Sequence, residues 1–208
     1  MDVEPDEQWA SDEFGDILVG RRHRNPRTAE SVRLRFARFL GARAHERASN
    51  RGADGELVIG WWLGRLPDGW YVINDVHAGD AGANIEHLVV GPPGVFTINT
   101  KNLAGKVWVG PKSVLHNRRR TDFLPKAFAE ARLVSRLLSS AIGRPVEVRG
   151  VLAILCDDWT VKQRPVDVYV DATRGVKDWM LRQPAVLRPQ EVIDLVAAAS
   201  KPGTWVDA

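Results

Sequence analysis

The stretch Asn84–Asn102, NIEHLVVGPPGVFTINTKN, decides the fold because it predicts two β-strands joined by a tight turn. Gly91-Pro92-Pro93-Gly94 is a strong turn signal, and residues that favour strands flank it on both sides. We therefore predict strands over residues 85–90 and 95–101, paired as an antiparallel hairpin.

The pairing register of this hairpin brings three polar side chains together. We expect the pairs Val90–Val95, Leu88–Thr97, Glu86–Asn99 and Asn84–Lys101. Because side chains alternate along a strand, Glu86, Asn99 and Lys101 share one face at the end away from the turn. The core residues Ile85, Val89, Phe96 and Ile98 occupy the other face, with His87 among them as a hydrogen-bonded structural histidine. On this pattern alone, a surface ion pair between Glu86 and Lys101 is the simpler interpretation.

The elements around the hairpin predict an α/β fold. Apolar periodicity and turn residues indicate helices over 29–48, 57–66, 123–142 and 189–199, strands over 70–76, 146–155 and 166–170, and a short edge strand over 106–109. We expect residues 50–55 to break the first of these helices. The order of helix, three strands, helix and strand predicts one mixed central sheet flanked by helices, with a helix on each face.

Composition and charge narrow the class of protein. The 208 residues are 44% hydrophobic and 26% charged, which predicts a packed core. The single cysteine, Cys156, is interpreted as a small buried hydrophobe. No apolar stretch is long enough to span a bilayer, and the acidic start is unlike a secretory signal. We therefore expect a cytoplasmic protein without membrane association.

The net charge of +3 hides an uneven distribution. Residues 1–20 hold seven carboxylates and no base, whereas residues 21–51 hold ten arginines, including Arg35 and Arg38, against two glutamates. Such a basic block attracts phosphate backbones, although a solvated helix face or a partner for the acidic segment explains it equally well. We predict an acidic arm plus arginine-rich helical extension over 1–52 and one domain over 53–208.

Several stretches of the chain resemble the nuclease-related domain (NERD) family. They are Gly55-Glu56 at a helix start, the strand WYVINDV at 70–76, the hairpin motif NIEHLVVGPPGVFTINTK and Gly105-Lys106-Val107. The resemblance covers residues 53–156 and implies a restriction-endonuclease-like αβββαβ core. The family is similar to nucleases with a PD-(D/E)xK motif, in which carboxylates hold Mg²⁺ and a lysine assists the attacking water.

Carried over residue by residue, the resemblance implies an atypical site. Glu86 matches the second-strand acid and Lys101 the lysine, while Asn99 stands where a second acid is expected. Glu56 matches the helix acid, although a first-turn glutamate is also favoured by the helix dipole. The implied ligands of Mg²⁺ or Mn²⁺ are thus Glu86, Glu56 and Asn99. An amide at position 99 supplies oxygen but no charge, which lowers the expected metal affinity.

The resemblance implies a Mg²⁺-dependent phosphodiesterase acting on nucleic acid, with DNA as the expected partner. Two alternatives stay open: an inactive nucleic-acid-binding module on the same fold, and a scaffold that binds a protein through helix 29–48. Arg118-Arg119-Arg120 are candidate phosphate contacts, although a solvated run is the commoner case. Weaker candidates are Asn84, Asp75 as a hydrogen-bond partner of a ligand, Asp157-Asp158 as turn residues, and Glu130 and Arg132, which periodicity does not orient.

Overall fold

The computed structural model describes residues 51–79 and 82–206, and its element order confirms the expected mixed α/β fold. The elements are α1 (Arg51–Leu63), β1 (Tyr71–Ala78), β2 (Ala83–Gly91), β3 (Gly94–Val109), β4 (Val114–His116), β5 (Arg119–Arg120), α2 (Phe123–Ile142), β6 (Val148–Val161), β7 (Val168–Ala172), α3 (Thr173–Leu181), α4 (Pro189–Ala199) and a 3₁₀ turn (Pro202–Trp205). The predicted arm and helix 29–48, with Arg35 and Arg38, lie outside the described residues. The described helices include none that is long and apolar enough to cross a membrane.

One seven-stranded sheet organises these elements. Strands β1 to β5 follow one another in antiparallel order, while β6 runs parallel to β3 and β7 runs parallel to β6. The long strand β3 is central, because β6 lies along one edge and both β2 and β4 pair with the other.

Helices cover both faces of the sheet, as predicted. Ile59 and Leu63 of α1 and Val176 and Met180 of α3 pack with Phe96 on one face. On the other face, α2 and α4 close a cluster that includes the buried residues Leu88, Val90, Val134, Leu138 and Leu195. The bounds of α2 and α4 coincide with the predicted 123–142 and 189–199.

Residues 51–55, which were predicted to break the first helix, form the first turns of α1, which begins at Arg51 rather than at the predicted 57. The end of the helix predicted over 29–48 lies outside the described residues. Gly55 is a packing residue rather than a stop signal. A Cβ atom there would lie 3.1 Å from Asn102 Cβ and 3.3 Å from Thr100 Cγ2. The glycine therefore lets α1 approach β3 closely.

The predicted edge strand at 106–109 is also wrong, because these residues are the interior end of β3. After a register irregularity between Leu103 and Lys106, Val107–Val109 pair with β4 on one side and with β6 on the other. This pairing carries β6 on to Val161, beyond its predicted end at 155. Strands β4 and β5 and helix α3 were not predicted from the sequence.

A backbone irregularity in β1 changes which side chains face α2. Asp75 has a φ of 53°, in the left-handed region, and the ladder between β1 and β2 skips the pair that it would form with Glu86. Beyond this point the buried side chains change face. Ile85 packs with Leu88 and Val90 rather than with Val89 and Phe96, so its predicted face is wrong.

Candidate active site

The sheet has a gap along the edge of β3 where β2 leaves it. The last residue of β3 paired with β2 is Ile98, opposite His87, and the first paired with β4 is Val107. Within the described residues, no strand pairs with this edge between them. The pairs Val90–Val95 and Leu88–Thr97 form as predicted, but the predicted Glu86–Asn99 and Asn84–Lys101 pairs do not.

Glu86 takes the place of a backbone partner inside this gap. Its Oε2 atom accepts a hydrogen bond from the Thr100 backbone N–H at 2.5 Å, and its side chain is only 14% exposed. A buried N–H needs an acceptor, and β2 no longer supplies a carbonyl at this point. The carboxylate is therefore held by the backbone of β3.

Lys101 lies beside Glu86, as expected, although the predicted register pairs at this end of the hairpin do not form. Its Nζ atom is 3.5 Å from Glu86 Oε1 and donates to the Thr100 carbonyl oxygen at 2.9 Å. The Phe123 ring at the start of α2 is centred 5.8 Å from the ammonium. The lysine is 27% exposed along its side chain, so it is partly enclosed yet still open to solvent or a ligand.

Asn99 faces helix α2 and contacts a residue that periodicity alone did not orient. Its Nδ2 atom donates to both carboxylate oxygens of Glu130, at 3.3 and 3.4 Å. Because an ionised carboxylate only accepts hydrogen bonds, the amide presents its nitrogen to Glu130 and its oxygen elsewhere. The structure thus gathers Glu86, Asn99, Lys101 and Glu130 at the gap.

The surroundings of Glu130 have opposing effects on the charge of its carboxyl group. Burial raises the pKa of its carboxyl group, and the Glu86 carboxylate raises it further, while the Asn99 hydrogen bond and the Lys101 and Lys126 ammonium groups lower it. A half-buried carboxyl that is destabilised by burial and a like charge favours the arrival of a cation or a proton.

The oxygen donors at the gap fit a hard divalent cation. Mg²⁺ binds through one or two carboxylates and keeps several waters, so Glu86 and the Asn99 amide oxygen are suitable in type. Among the side chains that the structure describes, which exclude those of Asp54 and Glu56, no three from His, Cys, Asp or Glu form a group that could hold a metal. Glu56 lies in α1, but its side chain is outside what the structure describes, and its metal role stays a prediction.

The weaker sequence candidates lie away from the cluster or serve the fold. His87 is buried, and its Nδ1 atom is 2.7 Å from Asn74 Oδ1, as expected of a structural histidine. Among the described residues, no hydrogen bond joins the Asp75 carboxylate to the site. Asp157 and Asp158 are exposed, but they lie within β6 and not in a turn.

Cys156 is half-buried beside a core cluster rather than fully buried. Burial and the nearby Asp157 and Asp158 carboxylates raise the pKa of its thiol. The thiolate, which is the nucleophilic form, is therefore disfavoured.

A basic hairpin flanks the far side of the gap. Asn117 and Arg118 have φ values of 48° and 66° and turn the chain between β4 and β5. Next to the gap, the Asn117 side chain accepts from the Lys106 N–H and donates to the Ala104 carbonyl. Arg118, Arg119 and Arg120 are exposed, and no carboxylate in the described part of the chain pairs with them. Arg132, on α2, is exposed and lies over Phe128 rather than in the cluster.

Comparisons with known proteins place this site within a family. The SfsA structure from Pyrococcus furiosus, in complex with Ca²⁺, is 11% identical with a TM-score of 0.25, and the match covers 74% of this chain and 52% of that chain. The chain thus spans about half the length of SfsA, and so low a similarity carries no weight for the site. No curated protein matches the sequence. The family model described as the nuclease-related domain matches residues 51–155, half of the chain, and includes every residue of the cluster. The chain therefore belongs to the nuclease-related domain (NERD) family.

Proposed function

We propose that this protein is a Mg²⁺-dependent phosphodiesterase that cleaves DNA at the gap in its sheet. The observation that carries the proposal is the meeting of Glu86, Asn99 and Lys101 on β2 and β3 in a nuclease-related chain. A carboxylate and an amide oxygen can hold a hard divalent cation, and an ammonium group beside them can stabilise the charge that develops during phosphodiester hydrolysis.

Each side chain has a distinct role in this proposal. Glu86, held by the Thr100 N–H, would hold Mg²⁺ or Mn²⁺ together with the Asn99 amide oxygen and, from α1, Glu56. The bound cation would supply charge neutralisation at the phosphate and a lowered pKa of water. Lys101, with its ammonium 3.5 Å from Glu86, would orient the attacking water or stabilise the developing charge. Arg118, Arg119 and Arg120 would bind the phosphate backbone beside the gap.

The test is cleavage of labelled single- and double-stranded DNA with Mg²⁺ or Mn²⁺ under single-turnover conditions. We expect wild type to cleave and Glu86→Ala and Lys101→Ala to lose cleavage. Glu147→Gln is a matched control, because Glu147 is exposed beyond the far end of α2 and, within the described part of the chain, forms its ion pair with Arg149. A Lys101→Ala variant that cleaves as fast as wild type would exclude the mechanism.

A second candidate function is a nucleic-acid-binding module without catalysis. Two observations favour it. Asn99 supplies no negative charge where an acid is expected, and the Glu86 oxygens already accept hydrogen bonds from the Thr100 N–H and the Lys101 ammonium. This version predicts salt-sensitive DNA binding with no cleavage and no Mn²⁺ binding at millimolar levels. Cleavage gained by Asn99→Glu where wild type has none would favour it.

A further inference from the structure

The amide at position 99 leaves the site one carboxylate short. Of the proposed ligands whose side chains the structure describes, Glu86 is the one that carries a negative charge, and the Lys101 ammonium offsets it at a distance of 3.5 Å. A divalent cation gives up part of its hydration on binding, and negatively charged ligands compensate for that loss. A second carboxylate is therefore needed for binding of useful strength.

Glu130 is the described carboxylate that approaches Asn99. Both of its oxygens lie within 3.4 Å of Asn99 Nδ2, and the electrostatic effects of Glu86 and Lys101 reach it. It belongs to α2, whose buried side chains Ala127, Ala131 and Val134 fix the helix against the sheet. Because neighbours three or four apart share a helix face, Glu130 borders this buried stripe. Its approach to the gap is thus set by the packing of α2.

The contact with Asn99 also explains why an amide suits position 99. An acid there would place a third carboxylate beside Glu130 and Glu86, with Lys101 as the nearest compensating charge. With asparagine, the hydrogen bond from Nδ2 lowers the cost of the Glu130 charge instead. Glu86, Glu130 and Lys101 then carry one net negative charge. This is the same net charge that the usual arrangement of two acids on the strands and one lysine would carry.

We propose that Glu130 is a further carboxylate ligand of the metal beside Glu86, supplied by helix α2 in place of an acid on β3. Asn99 is a positioning residue in this arrangement, since it holds the Glu130 carboxylate toward the gap. The inference rests on the proposed metal-dependent function and replaces neither Glu86 nor Lys101. A purely structural Glu130 would accept the same hydrogen bond but would leave metal affinity unchanged.

Mn²⁺ binding, measured by electron paramagnetic resonance of free Mn²⁺ and by calorimetry, separates these two roles. We expect Glu130→Gln to weaken binding at least about tenfold, because a charged ligand is removed while the side-chain shape is kept. The double variant Asn99→Glu/Glu130→Gln exchanges carboxylate and amide across the same hydrogen bond, and it should regain most of the affinity. Glu147→Gln should bind as wild type does. Circular dichroism checks that each variant is folded.

The outcomes distinguish this inference from the proposed function. Unchanged affinity in folded Glu130→Gln would overturn the role of Glu130, while cleavage by wild type and its loss in Glu86→Ala would leave the proposed function standing. If wild type neither binds Mn²⁺ nor cleaves DNA, both fail. If Glu130→Gln does not fold, the double variant decides: binding near the wild-type level supports the ligand role, and a folded protein without binding overturns it.

Discussion

At the scale of single residues, the buried His87 makes the stability of the fold depend on pH. Its side chain is buried, Nδ1 lies 2.7 Å from Asn74 Oδ1, and Nε2 has no partner in the described structure. Burial lowers the pKa of His87 from 6.5 to about 4. Above pH 6.5 the imidazole is neutral both folded and unfolded, so its contribution to stability is complete there. As pH falls toward 4, only the unfolded chain takes up the proton, and stability is lost.

We therefore predict that the free energy of unfolding falls between pH 6.5 and 4 by as much as about 3 kcal/mol from this residue alone. Urea unfolding of wild type and His87→Gln across this range measures the difference, and the variant should show a shallower pH dependence. His77→Gln is the control, because His77 is exposed. Parallel pH profiles for wild type and His87→Gln would contradict the prediction.

The residue scale also shows what sequence alone could and could not place. The hairpin motif predicted that Glu86 and Lys101 lie close together, and the structure brings them within 3.5 Å. The register that led to this prediction is interrupted at Asp75, so the carboxylate reaches Lys101 across the gap rather than through the predicted pairing with Asn99. Glu130 was a different case, because its orientation depends on how α2 is rotated against the sheet. The apolar stripe of α2 shows which side of the helix is buried. It does not show which residue of the sheet contacts the side chains at the edge of that stripe, such as Glu130. Only the packed structure joins Asn99 to Glu130.

At the scale of elements, the docking of α1 on β3 is tested by two glycines of the same helix. A Cβ atom at Gly60 would meet nothing within 4 Å, whereas one at Gly55 would press on Asn102 and Thr100 of β3. Alanine favours a helix over glycine by about 1 kcal/mol at either position. We predict that Gly60→Ala raises the free energy of unfolding by about this amount.

Gly55→Ala should be less stable than Gly60→Ala, because the helix must move away from β3 or the strand must yield. Chemical denaturation of both variants isolates the packing cost, since the intrinsic helix gain is common to them. Equal stability of the two variants would mean that α1 does not depend on close approach at Gly55.

The basic hairpin of β4 and β5 is an element whose charge can be tested separately from the catalytic cluster. We predict that the triple variant Arg118→Gln/Arg119→Gln/Arg120→Gln weakens DNA binding. It should also lower the slope of log K against log salt by about 0.9 for each phosphate that the variant no longer neutralises. Fluorescence anisotropy over a salt series measures this slope. A control variant in which the exposed residues Arg182, Arg188 and Lys201 are changed to glutamine loses the same amount of positive charge elsewhere on the surface. Its salt slope should stay steeper than that of the Arg118/Arg119/Arg120 variant.

Elements were predictable where local signals were complete. The turn at 91–94 defined the hairpin, and α2 and α4 had both periodic apolar faces and clear ends. Prediction failed where an element depends on a distant partner. Residues 106–109 look like a short isolated strand, yet β4 and β6 on either side make them the end of β3. Gly55 looks like a helix stop, yet it is kept in the helix by its fit against Thr100 and Asn102.

At the scale of the whole molecule, the distribution of charge sets an expectation for how the chain meets a polyanion. Residues 1–20 contribute seven carboxylates and no base, and residues 21–51 contribute ten arginines. The described fold adds the exposed arginines 118–120 beside the gap. An acidic segment in the same chain competes with phosphate for such guanidinium groups and repels DNA at long range.

We predict that deleting residues 1–20 tightens binding to double-stranded DNA at low salt. The gain should disappear at high salt, because the Debye length falls from about 10 Å at 0.1 M to about 3 Å at 1 M ionic strength. Fluorescence anisotropy titrations compare three proteins: the full chain, the deletion, and a full-length variant with the seven acids changed to Asn or Gln. They distinguish the effect of the acidic charges from the effect of the length of the segment. If charge is the cause, the neutralised chain binds like the deletion. Equal affinity of all three at low salt would instead mean that the acidic segment does not compete, and that the basic residues bind DNA independently of it.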